Sequence, residues 1–304
     1  MNGPLKTLLK RMIFQGNVPR TFPAVRILEG QIAERVILKT GHNELDISAA
    51  HCIVCHDPFC VAVYCSADTP STHQTERATF AIRLDGRDCA VATGMRTETL
   101  IFEKDAVVIF RISEASCFQV GPIRRRLISK YFRKKNTPAQ DRMYGAMYSF
   151  PRKVVAVSHA DANGYNLFPM DFQCLVEPDA LCILGLRTTN ITLQKMIHTG
   201  RVTISNTHAA SLDHIYQLGS HHSASPPPMD ELPFATSPSK LFGFPVPEFA
   251  TGYSEVELKD SRQLGTHMLM VGKVVNRVTP ATPANAIHHI HYFQSVYGMY
   301  PRLN

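Results

Sequence analysis

Short runs of β-branched and aromatic residues fill the first 120 positions. RVILKT, AHCIVC, FCVAVYC, ATFAIRL, CAVATGM, TLIFEK and AVVIFRI are alternating or near-continuous apolar stretches, parted by turn signals such as Gly41-His42-Asn43 and Asp85-Gly86. Such runs predict strands, so this half is nearly all β. The texture returns downstream. KVVAVSHADANGYNLFPMDF predicts strand, turn and extended loop; ALCILGL and RVTISN predict strands; SEVELKDSRQL and HMLMVGKVVNRV predict a strand pair. One helical pattern stands out in TTNITLQKMIHTG, where Thr189 or Asn190 suits the N-cap and Thr199-Gly200 the stop. Residues 220–250 are rich in Ser and Pro, which argues against regular structure and predicts a surface loop bordering a cleft. Many short strands with few helices predict a mainly β fold, a barrel decorated by helices.

Charge divides the chain. Of a formal charge of +7, all is accounted for by RRRLISKYFRKK between Arg124 and Lys135, which holds seven basic residues and no acid. Phosphate-tracking proteins spread positive charge along a face and interleave aromatics, so this single run predicts a solvated connector helix and argues against nucleic acid. Three segments follow: a β-rich barrel-like domain over 1–120, the basic connector over 121–145, and a second domain over 146–304. No apolar run approaches the length needed to cross a bilayer, and MNGPLKTLLKRMIF reads as a poor signal peptide. The expectation is a cytoplasmic protein with its eight cysteines reduced and mostly buried.

The candidate chemistry centres on the helix start. Arg187, Thr188, Thr189, Asn190 and Thr192 bring an arginine fork, hydroxyls and helix N-terminal amides together, which suits a phosphate dianion; simple capping beside a surface arginine fits equally well. Its surroundings sharpen the reading. VVAVSHADANGYNLFPMDFQ, LRTTNITLQKMIHTGRVTIS, GTHMLMVGKVVN and HHIHYFQSVYG, in that order, resemble the flavin reductase family of FMN-binding split barrels over about residues 151–300. The resemblance implies a split β-barrel holding FMN near a subunit interface, with NADH or NADPH as electron donor. It implies Asn166, Phe168, Pro169, Met170 and Asp171 as the isoalloxazine loop, Arg187, Thr189, Asn190 and Thr192 as the phosphate set, and His267 as an active-site wall contacting nicotinamide. Asp171 and Thr266 depart from the family pattern; a carboxylate at 171 cannot donate to a flavin carbonyl unless protonated, whereas backbone N–H groups can.

Other histidines and cysteines have plainer readings. His288, His289 and His291 suit a surface or interface strand, and His221 with His222 a solvated loop. The run HCIVCH matches the spacing of c-type haem attachment, yet it lies in an apolar stretch without an export signal, and one strand-turn cannot easily wrap a zinc tetrahedron. Buried strand cysteines are expected there, and no metal. NELDISAAHCIVCHDPFCVAVYCSA echoes NGYNLFPMDFQCLVEPDALCILGLRTT, which predicts two barrel-like halves in tandem, the first a degenerate copy. The partners expected are flavin and nicotinamide nucleotides, in a homodimer or an intramolecular pseudo-dimer. Two functions remain: an NAD(P)H-dependent flavin reductase, or a non-catalytic FMN-binding module whose cleft is closed to nicotinamide.

Overall fold

The computed structural model describes residues 7–8, 11–12, 22–67, 75–102, 104–132, 137–177, 180–220, 224–280, 282–295 and 299–303. The fold is mainly β, in antiparallel sheets. The first half contributes β1 (Ala24–Leu28), β2 (Arg35–Thr40), β3 (Asn43–Asp46), β4 (His51–Cys55), β5 (Cys60–Ser66), β6 (Arg77–Leu84), β7 (Arg87–Phe102) and β8 (Asp105–Cys117). Helices α1 (Pro122–Phe132) and α2 (Pro138–Met147) follow, then β9 (Arg152–Lys153), β10 (Val155–Asp161), β11 (Gly164–Met170), β12 (Gln173–Val176) and β13 (Leu181–Arg187). Helix α3 (Leu193–Thr199), β14 (Arg201–Asn206) and α4 (Leu212–Ser220) lead to a small ladder of β15 (Thr236–Pro238) and β16 (Pro245–Pro247). The chain closes with β17 (Tyr253–Leu264), β18 (His267–Val278), β19 (Asn285–His289) and α5 (Tyr292–Ser295).

The two halves share one topology. The first seven-stranded sheet runs β3-β2-β6-β7-β8-β5-β4, the second β11-β10-β14-β17-β18-β13-β12. Replacing each strand of the first order by its counterpart in chain order gives the second without exception. The weak sequence echo is therefore a structural repeat: HCIVC, as β4, corresponds to β12, the strand after the NLFPM segment.

The near-continuous apolar runs now have a cause, because the strands at the seam are buried on both faces. On β5 and β8, Val61, Val63, Val108 and Phe110 point into the first barrel core, while Ala62, Val107 and Ile109 point to the seam. On β13 and β18, Leu184, Leu186 and Met270 enter the second core, while Ile183, Leu269 and Val271 meet the seam from the other side. Each of these Val, Leu, Ile, Phe and Met side chains contributes about 1.5–3 kcal/mol by leaving water. A third, three-stranded sheet, β1-β19-β9, ties the N-terminal strand to the C-terminal one.

Several expectations need correction. The loop expected over NLFPM is β11, paired along its length with β10; Pro169 is tolerated because β11 is an edge strand and one side needs no ladder donor. CAVATGM and TLIFEK join in the single strand β7, whose bulges at Thr93/Gly94 and Arg96/Glu98 absorb the polar interruption. Residues 121–145 carry two helices, since Thr137 and Gln140 form a capping box that starts α2 at Pro138; residues 133–136 lie outside the described residues. The Pro-rich segment holds the β15–β16 ladder, pinned to the second barrel by Glu255, which accepts from Ser239 Oγ at 2.7 Å, Phe242 N at 2.6 Å and Asn276 Nδ2 at 2.6 Å. His288 is buried in β19 rather than at the surface. His221 and His222 lie outside the described residues, as does most of MNGPLKTLLKRMIF. No described helix is long and apolar enough to cross a membrane.

Candidate functional site

The β17–β18 turn meets the first half. Gly265 takes a left-handed φ of 63°, and a Cβ there would overlap the carbonyl of Asp57, so only glycine admits the β4–β5 turn this closely. Thr266 N donates to Asp57 O at 2.9 Å, and Asp57 N donates to Thr266 Oγ1 at 3.3 Å. His56 N donates to His267 Nδ1 at 3.4 Å. A backbone donor at Nδ1 requires a bare nitrogen there, which puts the proton of a neutral imidazole on Nε2.

Around His267 the chain gathers groups from three places. Cross-strand register on β13 and β18 sets Arg187 directly beside it. The ring of Phe172 lies 5.4 Å away at 30°. From the first half, Cys55 Sγ lies 3.8 Å from Nδ1, and from α2 Tyr144 hydrogen bonds with His56. Burial, joined by the positive charge of Arg187, lowers the pKa of His56, while burial raises that of Tyr144. The Cys60 thiol, opposite Cys55 in register, together with His267 pulls the Cys55 thiol down, and Cys60 rises in return.

The phosphate set forms an adjoining group. Asn190 N donates to Arg187 O at 3.0 Å, and Asn190 Oδ1 accepts from Thr192 N at 2.8 Å. This local turn uses Asn190 before the helix, so α3 starts at Leu193 with Thr192 as its N-cap, two or three residues later than expected. Asn166 Nδ2 donates to Thr192 Oγ1, which ties β11 to the helix start. Arg187 and Thr189 are exposed, whereas Asn190 is buried with its Nδ2 lacking an acceptor. Exposed guanidinium and hydroxyl beside an orphaned amide donor fit an anionic phosphate.

The isoalloxazine loop divides differently. Phe168 and Met170 turn into the second barrel core, so only their backbone remains for a ligand. Pro169 is half-buried with Cγ facing α4 at Gly219. The Asp171 carboxylate is engaged by Tyr148 Oη at 2.8 Å and His289 Nδ1 at 2.6 Å. Sequence reasoning missed His56, Tyr144 and Phe172; the internal repeat was the signal for His56, because it places the β4–β5 turn at the interface. The cysteines are all unpaired, and among the described residues no three His, Cys, Asp or Glu side chains form a metal-binding group.

Comparison with solved structures finds similar folds. The NADH:FAD oxidoreductase SgcE6 of Streptomyces globisporus C-1027 is 13% identical, with 51% of this chain and 91% of that chain covered and a TM-score of 0.45. The FMN-binding protein of Thermus thermophilus is 20% identical over 56% of this chain and 92% of that one, with a TM-score of 0.43. The styrene monooxygenase flavin reductase of Pseudomonas putida S12 is 17% identical over 46% and 88%, with a TM-score of 0.39. Comparison with curated proteins finds no match. Residues 147–298, half of the chain, match the flavin reductase like domain, and the chain belongs to the flavin reductase-like family.

Proposed function

We propose that the chain is an FMN-binding flavoprotein that acts as an NAD(P)H-dependent flavin reductase, within a single-chain pseudo-dimer made of residues 1–120, a connector over 121–145 and residues 146–304. The observation that carries this is the first-half turn docked on His267, beside Arg187 and the orphaned amide of Asn190. Where a split barrel of this family uses a second subunit, the first half here occupies the partner's position. Bound FMN would supply the two-electron acceptor for hydride. Arg187, Thr189, Asn190 and Thr192 would hold its phosphate, and Asn166 with the β11 backbone would border the ring. His267, fixed through Nδ1, presents Nε2–H as a donor. Eight unpaired cysteines suit a reducing compartment, which supports a cytoplasmic setting.

A second reading, a flavin-binding module without nicotinamide turnover, is favoured by the 4% exposure of His267. Stopped-flow mixing of flavin-loaded protein with NADH or NADPH separates the two. Bleaching near ~450 nm, the flavin band, that slows on the order of tenfold in His267→Ala with flavin still bound supports the reductase. No bleaching with either nucleotide leaves the binding module.

A further inference from the structure

Helix α1 exposes apolar side chains where a helix on a folded domain normally presents polar ones. Ile123 is 78% exposed and Leu127, one turn on, 42%. Four-residue spacing sets them one above the other on one face, and Arg126, three residues from Ile123, is exposed beside them. The opposite side is fixed to the fold. Ile128 is buried in the first barrel core, and Arg125 Nη1 donates to Cys117 O at 3.0 Å. That bond brings the first turn of α1 to the end of β8, where the next residue, Phe118, is 60% exposed. Single exposed apolar residues are ordinary, whereas three gathered at one place mark a contact surface. The connector expected to be a solvated helix therefore has an apolar outer face.

The charge around these residues is one-sided. From Ala115 to Gln140 the chain holds no acidic residue, and the seven basic residues between Arg124 and Lys135 equal its whole formal charge of +7. Asp141, the next acid, is buried. Among the described residues no carboxylate lies within ion-pair distance of Arg125 or Arg126. The remainder of the chain is neutral in sum, so the field of the molecule turns α1 toward any negatively charged surface.

We propose that this face of α1 is a docking surface for an anionic lipid bilayer, on which the chain lies without spanning it. Phe118, Ile123 and Leu127 enter the boundary between headgroups and acyl chains. The basic run meets the anionic headgroups, each cation near such a surface adding roughly fivefold in affinity. Neither a few apolar side chains nor the charge alone holds a protein firmly; together they supply the two signals that stable attachment takes. Nucleic acid would satisfy the charge but offers its phosphates no use for an apolar helix ridge. A protein groove that wraps a basic helix needs more than one free side, which Ile128 and Arg125 deny. A flat surface needs one. The inference is independent of the flavin assignment.

Co-sedimentation of the full chain with phosphatidylcholine vesicles, with and without about 30% phosphatidylglycerol, tests the surface. At ~0.1 M salt the chain is expected on the anionic vesicles, about tenfold or more weaker on the neutral ones, and released at ~0.5 M. Arg126→Glu should weaken the anionic binding about tenfold or more. Ile123→Ser with Leu127→Ser should do the same with flavin titration unchanged, and should fold as the parent because both side chains are exposed. The chain contains no tryptophan, so Leu127→Trp supplies a single indole whose emission should shift to the blue on the anionic vesicles. Absence of vesicle binding overturns the proposal, as does vesicle binding that the serine pair leaves unaltered or that leaves the indole emission unshifted. Binding to duplex DNA without vesicle binding would assign the run to nucleic acid and overturn it as well. So would a dimer in sedimentation that the serine pair dissolves, because a second copy would then cover the face.

Discussion

The carboxylate of Asp171 shows how a single departure from a family pattern is compensated by its neighbours. Burial raises its pKa, but the hydrogen bond and charge of His289, with Tyr148 and Arg152, outweigh that and hold it below the ordinary carboxylate value. Its folded pKa is depressed, so its stabilisation is present above the unfolded pKa and is lost as pH falls through the folded one. Asp171→Ala should therefore cost about 1.5–3 kcal/mol at neutral pH, read from urea melts, with flavin affinity little changed. A variant that keeps its stability and loses flavin would assign the carboxylate to the ligand instead. At the phosphate set, Arg187→Ala with Thr192→Ala removes a charged donor and a hydroxyl, so FMN affinity should fall about a hundredfold or more in fluorescence titration. Cys52→Ser with Cys55→Ser should leave flavin bound, and the reverse pattern would move the site to HCIVCH.

Strand β19 carries a pH dependence that belongs to the element. It lies between β1 and β9, and burial pushes His288 down from 6.5 to about 4. The neutral form is favoured in the fold, so the unfolded chain binds more protons below pH 6.5. Its stability contribution is complete above that pH and is lost as pH falls toward the folded value. Between pH 7 and pH 5 the loss from His288 is on the order of 2 kcal/mol. Urea melts at the two pH values should show it, and His288→Gln should flatten the difference; an equal slope in the variant would remove His288 from the account. The position of β19 was not legible in its sequence, because HHIHYF has no alternation that reveals two covering neighbours.

For the whole molecule, the seam between the halves holds the repeat together. Gly185 of β13 lies against β4 so closely that a Cβ would sit 2.5 Å from Val54 O and 2.7 Å from Val54 Cα, where only backbone could move. Gly185→Val should cost about 1–3 kcal/mol through overpacking and loosen the halves together, seen as one shifted unfolding transition. Two separate transitions with an unchanged second half would mean that the seam is not part of the cooperative unit. On the proposal that the first half stands in for a second subunit, sedimentation should give a monomer near the chain mass of 33.9 kDa. A stable dimer would restore an external partner.

What the sequence by itself determined is local. Apolar runs on both faces of a strand specify double burial, so the seam strands were legible as near-continuous hydrophobic stretches. Thr199-Gly200 marked the end of α3, with Gly200 left-handed at the cap. The ordered motifs from Asn166 to His267 were legible as family-like for the same reason, since each is a short contiguous segment. Only the tertiary structure decided which half touches which. His56 and His267 are separated by 211 positions and meet because Gly265 lets one turn enter another. No local pattern encodes that meeting, because a contact between distant segments is a property of what the folded chain brings close.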